Sequence, residues 1–286
     1  MFTDHPCGGS PLAVVPDAAG LSTATMRAVA ARSGATETAF VLPPTDPSAG
    51  YRVRVFTGDR ESAGGGHSCV GTAATLVRLG RVPPGPVTQE CGTGRQHLVA
   101  AADRATLLGT DPRAETEPDT AALLAAAGLD ADALDPAAAA GRAGYGGARF
   151  PFLPVAPRAL AAARPRYDAM AASDLPALAL VAWDPAARTA AVRLFAPGFG
   201  IPEDPACGPV ALALGVWLAE AGLLPGPHPA DAPPADGEHA YTVRQGGASG
   251  HPSRLDGTVT VTAGRAVRGS VSGTVTPAGT LPGPAG

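Results

Sequence analysis

The sequence is short of charge. Only 16% of its 286 residues are charged, the net charge is −4, and no cluster of basic residues interrupts it. Such a chain is poorly suited to neutralising a phosphate backbone or an anionic bilayer, so neither nucleic acid nor membrane is expected as a partner. Cysteine is scarce too. Cys7, Cys69, Cys91 and Cys207 show no CxxC spacing and no Cys/His pairing of the zinc-finger kind. No metal is expected, and a chain long enough to bury a sizeable core needs no disulfide staples. Free thiols in a reducing compartment follow as the expectation. The opening stretch MFTDHPCGGSPL lacks a charged segment followed by an apolar one, so no signal peptide is expected. No apolar run reaches the roughly 18 to 20 residues of a membrane span, and a cytoplasmic location is expected.

Glycine and proline, by contrast, are plentiful, at 37 and 31 residues. They fall mostly between apolar segments and act as punctuation rather than as a sign of disorder. PLAVV (11–15) reads as a strand. LSTATMRAVAARSG (21–34) reads as a helix capped by Ser22 and ended by Gly34. TAFVL (38–42) and the alternating YRVRVFT (51–57) read as strands. A glycine run then feeds a helix over 69–80, with strands near 87–91, 96–101 and 104–108. The segment 111–147 shifts to Ala, Asp and Pro and marks a boundary near 115. Beyond it, strands at 150–155, 177–183 and 189–195 alternate with helices around 157–173 and over 205–221. More strands run from 240 to about 276. The expected organisation is an N-terminal half (1–115), a C-terminal half (116–276, its last strands free to return to the first half) and a flexible tail (277–286).

The two halves share one pattern. Each sends an alternating strand (YRVRVFT; TAAVRLFA) into a glycine-rich loop and then an apolar helix, whose starts read GGHSCVGTA and DPACGPVALA. This predicts two related α/β half-molecules, each a sheet wrapped round one central helix, with both helix starts opening at their seam. A helix as apolar as 209–219 has to be buried nearly all round. A helix N-terminus offers unsatisfied N–H groups and partial positive charge, which suits a carboxylate. The candidate residues there are Glu37, His67, Cys69, Asp204 and Cys207. Each has a plainer alternative: Glu37 a solvated loop acid, His67 a helix cap, Glu203 and Asp204 acids favoured by the helix dipole, and the two cysteines small core residues.

The segments FTDHPCGGSPLAVV, ATETAFVLPP, RVFTGDRE with GGHSCVGTA, FAPGFGIPEDPACGPVA and QGGASGHPS occur in that order. Together they resemble the PhzF-like (phenazine biosynthesis) family over about residues 2–275. The resemblance implies the diaminopimelate epimerase-like fold, an α/β (α+β) class with two pseudo-symmetric, barrel-like halves and a ligand cleft. It implies a homodimer and acid/base chemistry without cofactors. Glu37 stands at the family's acid/base glutamate, His67 at its GHP histidine and Asp204 at the aspartate of its EDPATGS motif. Ser10, Gly66, Cys69, Cys207 and Gly208 stand where a small anionic substrate would be held, the backbone N–H groups of Gly66, His67 and Gly208 among the donors.

Departures from the family pattern are specific. Ala63, Gly64 and Gly65 replace Pro-Phe-Ala. Cys69 and Cys207 take threonine positions, Ser10 an asparagine position and Pro209 a serine position, which removes both an N–H and a hydroxyl. These departures favour a substrate other than that of the phenazine enzymes. The leading expectation is an isomerase that shifts a double bond by Glu37-mediated proton transfer in a secondary-metabolite precursor, with a cyclic amino or imino acid of a 4-alkylproline antibiotic pathway as a candidate. Alternatives are a two-cysteine racemase or epimerase using Cys207, and a non-catalytic binding protein on the same scaffold.

Overall fold

The structure is a computed structural model and describes residues 1–3, 8–62, 66–117, 119–225 and 235–280. Cys7, the Ala63–Gly65 replacement and the last part of the expected tail lie outside the described residues. The chain divides into two compact units, Met1–Leu108 with the chain from Ser272 onward, and Gly109–Val271.

The first unit contains β1 (Leu12–Val15), α1 (Thr23–Ser33), β2 (Glu37–Leu42), β3 (Tyr51–Thr57), β4 (Arg60–Ser62) and α2 (Gly66–Arg78). It continues with β5 (Gly85–Cys91), β6 (Gly94–Ala100) and most of β7 (Arg104–Thr110). β8 (Pro112–Thr116), α3 (Thr120–Ala127), β9 (Gly141–Tyr145) and β10 (Phe150–Pro154) follow. Next come α4 (Pro157–Ala162), α5 (Tyr167–Ala172), β11 (Leu178–Asp184), β12 (Thr189–Ala196) and β13 (Ile201–Asp204). α6 (Gly208–Glu220), β14 (Gly237–Gln245), β15 (Ser253–Thr262) and β16 (Arg265–Thr274) complete the order.

The same path is traced twice. β1 runs parallel to β2 across the α1 connection, β2 turns back antiparallel into β3, and the short β4 folds against β3 before α2. After α2 the chain returns parallel to β3 as β5 and continues antiparallel into β6. In the second unit β10 and β11 are parallel across α4 and α5, β11 and β12 antiparallel, and β13 folds against β12 before α6. β14 then lies parallel to β12 and antiparallel to β15. This is the internal repeat that the helix-start sequences predict.

In each unit the strands bend round the central helix. α6 packs against β8, β9 and β10 towards one end of its strand path and β15 towards the other, as a curled sheet requires. From Val210 to Ala219 every residue of α6 is buried. Removing a Leu or Val side chain from water contributes roughly 1.5–3 kcal/mol, so a helix apolar all round is stable only there. Trp217 stacks on Phe152 with ring centroids 5.7 Å apart. Gly215 lets Tyr241 cross the helix: a Cβ there would stand 2.6 Å from the Tyr241 hydroxyl. That hydroxyl donates to the Ala211 carbonyl at 2.8 Å. α2 is likewise buried from His67 to Ala74 and packs on β1, β2 and β6.

Several expectations need correction. α2 begins at Gly66 rather than at 69, because nothing in Gly66-His67-Ser68 breaks a helix; His67 therefore sits inside the first turn. α6 begins at Gly208 rather than at 205, with Cys207 as its N-cap, and the preceding Ile201–Asp204 forms a strand. The compositional shift at 111–147 conceals β8, α3 and β9. Asp119 caps α3 through the Ala122 N–H at 2.8 Å, and Gly128 ends it with a left-handed φ of 64°. The first break between units falls at Leu108/Gly109 rather than near 115, as β8 pairs with β9.

Candidate active site

Glu37 is the first residue of β2 and pairs in register with Leu12 of β1. It is 5% exposed, which removes the reading of a solvated loop acid. His67, in the first turn of α2, is 2% exposed. Their Oε2 and Nε2 atoms lie 3.2 Å apart. The separation suits a hydrogen bond but the angles do not, so neither atom has an aligned partner among the described residues. Buried polar groups are normally satisfied, and catalytic hydrogen bonds commonly tighten only when substrate is present. Ser10 precedes β1 and is fully buried; its Oγ is also without an aligned partner among the described residues. Its backbone is held at both ends, the N–H donating to the Met1 carbonyl at 3.1 Å and the carbonyl accepting from the Met1 amine at 3.2 Å.

Chemically, a buried carboxylate and imidazole at this distance form a shielded pair whose hydrogen-bonding capacity is not spent on each other. Either group can present an acceptor or a donor to a third molecule. Gly66, the first residue of α2, adds an N–H with no intrahelical acceptor.

The second constellation is more tightly bound. Asp204 ends β13 and is 5% exposed. Its Oδ1 accepts from the Ala206 N–H at 2.9 Å, closing an Asx turn, so the carboxylate spends one site on the loop itself. Gln245, at the end of β14 and 3% exposed, holds the same loop. Its amide donates to the Asp204 carbonyl at 2.6 Å and accepts from the Cys207 N–H at 3.5 Å. Gly246 follows with φ 76°, and a Cβ there would stand 2.8 Å from the Pro205 carbonyl. Only glycine permits that approach. Cys207 is half-buried and Gly208 buried. Pro209 occupies the first turn of α6, so the N–H groups without an intrahelical acceptor there belong to Gly208 and Val210.

Glu203, adjacent to Asp204, is committed elsewhere. Arg193 grips it with both arms, Nε at 3.0 Å and Nη2 at 2.9 Å. The same guanidinium donates to the Leu160 and Ala163 carbonyls at 2.7 and 3.1 Å and lies 4.9 Å from the Phe195 ring centroid. Gln245 opens the motif QGGASGHPS, although nothing local says that it reaches Asp204; Arg193 carries no signal of its own in the sequence.

Cys69 is 3% exposed and its sulfur accepts from the Gln89 amide at 3.0 Å, turned towards β5. Among the described residues no group of three or more His, Cys, Asp or Glu side chains could hold a metal. No helix among them is long and apolar enough to cross a membrane.

The five ordered motifs and this fold agree with what the chain is similar to. The family model for phenazine biosynthesis-like proteins (PhzC-PhzF) matches residues 1–279. The chain belongs to that family and is an isomerase within it, with the diaminopimelate epimerase-like fold. An uncharacterized isomerase of Mesorhizobium japonicum is 32% identical, covering 96% of this chain and 93% of its own. The trans-2,3-dihydro-3-hydroxyanthranilate isomerase of Pseudomonas aeruginosa is 30% identical over 78% of this chain and 79% of its own. A crystal structure of the PhzF-family phenazine biosynthesis protein of Bacillus anthracis superposes with a TM-score of 0.80 at 22% identity, covering 96% and 94% of the two chains.

Proposed function

We propose that the protein shifts a double bond in a small carboxylate-bearing precursor by proton transfer through Glu37. The observation that supports this most is the buried Glu37–His67 pair, 3.2 Å apart and lacking an aligned hydrogen bond among the described residues. Glu37 removes a proton from an acidic carbon and returns one at a vinylogous position. His67 orients the carboxylate and donates to the charge that develops. Such a group contributes roughly 10²–10⁴-fold, and the remainder comes from positioning and from N–H stabilisation of an enolate-like intermediate. Ser10, Gly66, Cys207 and Gly208 are assigned to substrate binding. Asp204 is assigned to positioning the substrate and tuning its protonation, and it shapes its own loop. Cys69 is kept as a candidate substrate-binding residue, its sulfur accepting from the Gln89 amide.

The chemistry needs no cofactor. A homodimer in the cytoplasm is the working assembly we assign, to be read by sedimentation and fractionation. For substrate, the departures at Pro209, Cys69 and Cys207 favour one other than the dihydrohydroxyanthranilate of the Pseudomonas relative, and the family resemblance offers a cyclic amino or imino acid of a 4-alkylproline antibiotic pathway as the candidate.

Turnover in deuterium oxide tests the reading, with both candidate substrates offered. An isomerase places label at a new position along a conjugated skeleton, and Glu37→Gln lowers turnover at least ~10²-fold with folding retained. Label confined to an inverted α-carbon, with activity lost in Cys207→Ser, would instead establish the cysteine racemase. Near-normal turnover in Glu37→Gln removes the assignment of the base.

A further inference from the structure

The first unit holds a second reactive cluster that the proposed isomerisation does not use. Gln89 and Cys91 alternate along β5 and therefore point to one face of the sheet. Tyr51 of β3 is the register partner of Gln89 and shares that face. Cys69 of α2 meets it from the helix side. The Gln89 amide donates to the Cys69 sulfur at 3.0 Å, which brings Cys69 to the face of β5 that carries Cys91 two residues on, and the two thiols are near enough to shift each other's acidity. Cys91 Sγ also lies 3.0 Å from Thr93 Oγ1 and 3.4 Å from the Gly94 carbonyl. The Tyr51 hydroxyl and Gln89 Oε1, both buried, are without an aligned partner among the described residues.

The two thiols differ in access. Cys69 is buried, whereas Cys91 is half-buried, at the turn between β5 and β6. Their acidities diverge as well. The neighbouring Cys69 thiol, aided by Thr93 and Gln89, lowers Cys91 to about 6 against the opposing effect of burial. The same neighbour effect, Cys91 on Cys69, together with burial, raises Cys69 well above the ordinary thiol range. The cluster therefore places a half-exposed, acidic thiol beside a protonated, shielded one. A reactive cysteine beside a resolving one has this arrangement.

We infer that Cys91 and Cys69 form a peroxide-responsive pair, in which Cys91 is oxidised and Cys69 resolves it to a disulfide joining β5 to the first turn of α2. Hydrogen peroxide is the oxidant. The Cys91 sulfur displaces hydroxide from the peroxide, giving a sulfenic acid and, after protonation, water. The Cys69 sulfur then attacks that sulfenic sulfur; its proton leaves with the hydroxyl as a second water, and the S–S bond forms. Two thiols are oxidised by two electrons and one peroxide is reduced to two waters. A thiol reductant returns the pair to its starting state by exchange.

Mild peroxide treatment of the full-length protein, followed by alkylation and peptide mass mapping, tests this. The expected product has lost two of the four thiols and about 2 Da. It contains a Cys69–Cys91 cross-linked peptide that dithiothreitol removes, with Cys7 and Cys207 still alkylated. In Cys69→Ser, the sulfenic acid at Cys91 persists and is trapped by dimedone. The inference is overturned if Cys91 stays alkylatable after peroxide. It is equally overturned if the cross-link involves Cys7 or Cys207, or if Cys91 passes to sulfinic acid while Cys69 remains a thiol. The wild-type map decides the matter even if the variant folds poorly, and it is independent of whether the protein isomerises the substrates proposed above.

Discussion

The two units follow one topology and put different chemistry at equivalent points. In the first, the short strand β4 leads into α2, whose opening turn carries His67 beside Glu37 with an unaligned 3.2 Å contact. In the second, the short strand β13 leads into α6, and its approach is tied down by Asp204 on Ala206 and by Gln245 on Asp204 and Cys207. One helix start keeps its hydrogen-bonding capacity in reserve; the other spends it on the loop. A duplicated scaffold can divide labour in this way because the central helix is held by burial and not by its cap. The residues at each helix start are then at liberty to serve either geometry or chemistry.

The largest expected effect falls on the first helix start. His67→Ala should lower turnover by ~10²-fold, with the melting temperature near wild type, as the residue acts through Glu37 and not through the core. A large drop in thermal stability with specific activity retained would mark His67 as structural and erase the contrast between the units. At the second start, Asp204→Asn keeps an acceptor for the Ala206 N–H, so folding should persist while activity falls about tenfold.

The thiols sharpen the comparison within the first unit. Near pH 6 about half of Cys91 is thiolate, against roughly 0.3% of an ordinary thiol; after allowing for the weaker nucleophilicity of an acidic thiol, Cys91 should react about tenfold faster with dithiodipyridine. Its rate should fall as pH drops through about 6 and level off above it. Rates that rise steeply up to pH 8.5, as for an unperturbed cysteine, would remove the acidity.

Gln245→Leu leaves the Asp204 carbonyl and the Cys207 N–H without their amide partner. A cost of about 1–3 kcal/mol in denaturant unfolding is expected, with activity reduced more than stability alone explains. Unchanged stability and activity would show that the second helix start is not held by this side chain.

The central helices give the smallest contrast. Gly215→Ala drives a Cβ to within 2.6 Å of a tyrosine hydroxyl that is itself bound to α6, and should cost about 1–3 kcal/mol. Gly71→Ala meets the movable ends of Met1 and Leu12, the latter at 2.6 Å, and should cost less. Equal losses at both positions would mean that α2 is packed as rigidly as α6.

Much of this was legible along the chain. The alternation of YRVRVFT and TAAVRLFA, the Ser22 cap and Gly34 stop of α1, and the unbroken apolar run of α6 dictate those elements, because each depends on neighbours a few residues away. The ordered motifs point to the family, and with it to Glu37, His67 and Asp204. Three features depended on residues far apart in sequence and were settled only by the fold. The burial of Glu37 follows from β2 pairing with β1 beneath α2. Gln245 reaches Asp204 across 41 residues because β14 lies parallel to β12. Cys69 reaches Gln89, and with it the face of β5 that carries Cys91, across 20 residues because α2 packs against the sheet of its own unit. Local sequence sets which backbone conformations are cheap; which side chains share a dry, crowded space is decided by long-range packing, and the chemistry proposed here resides in that space.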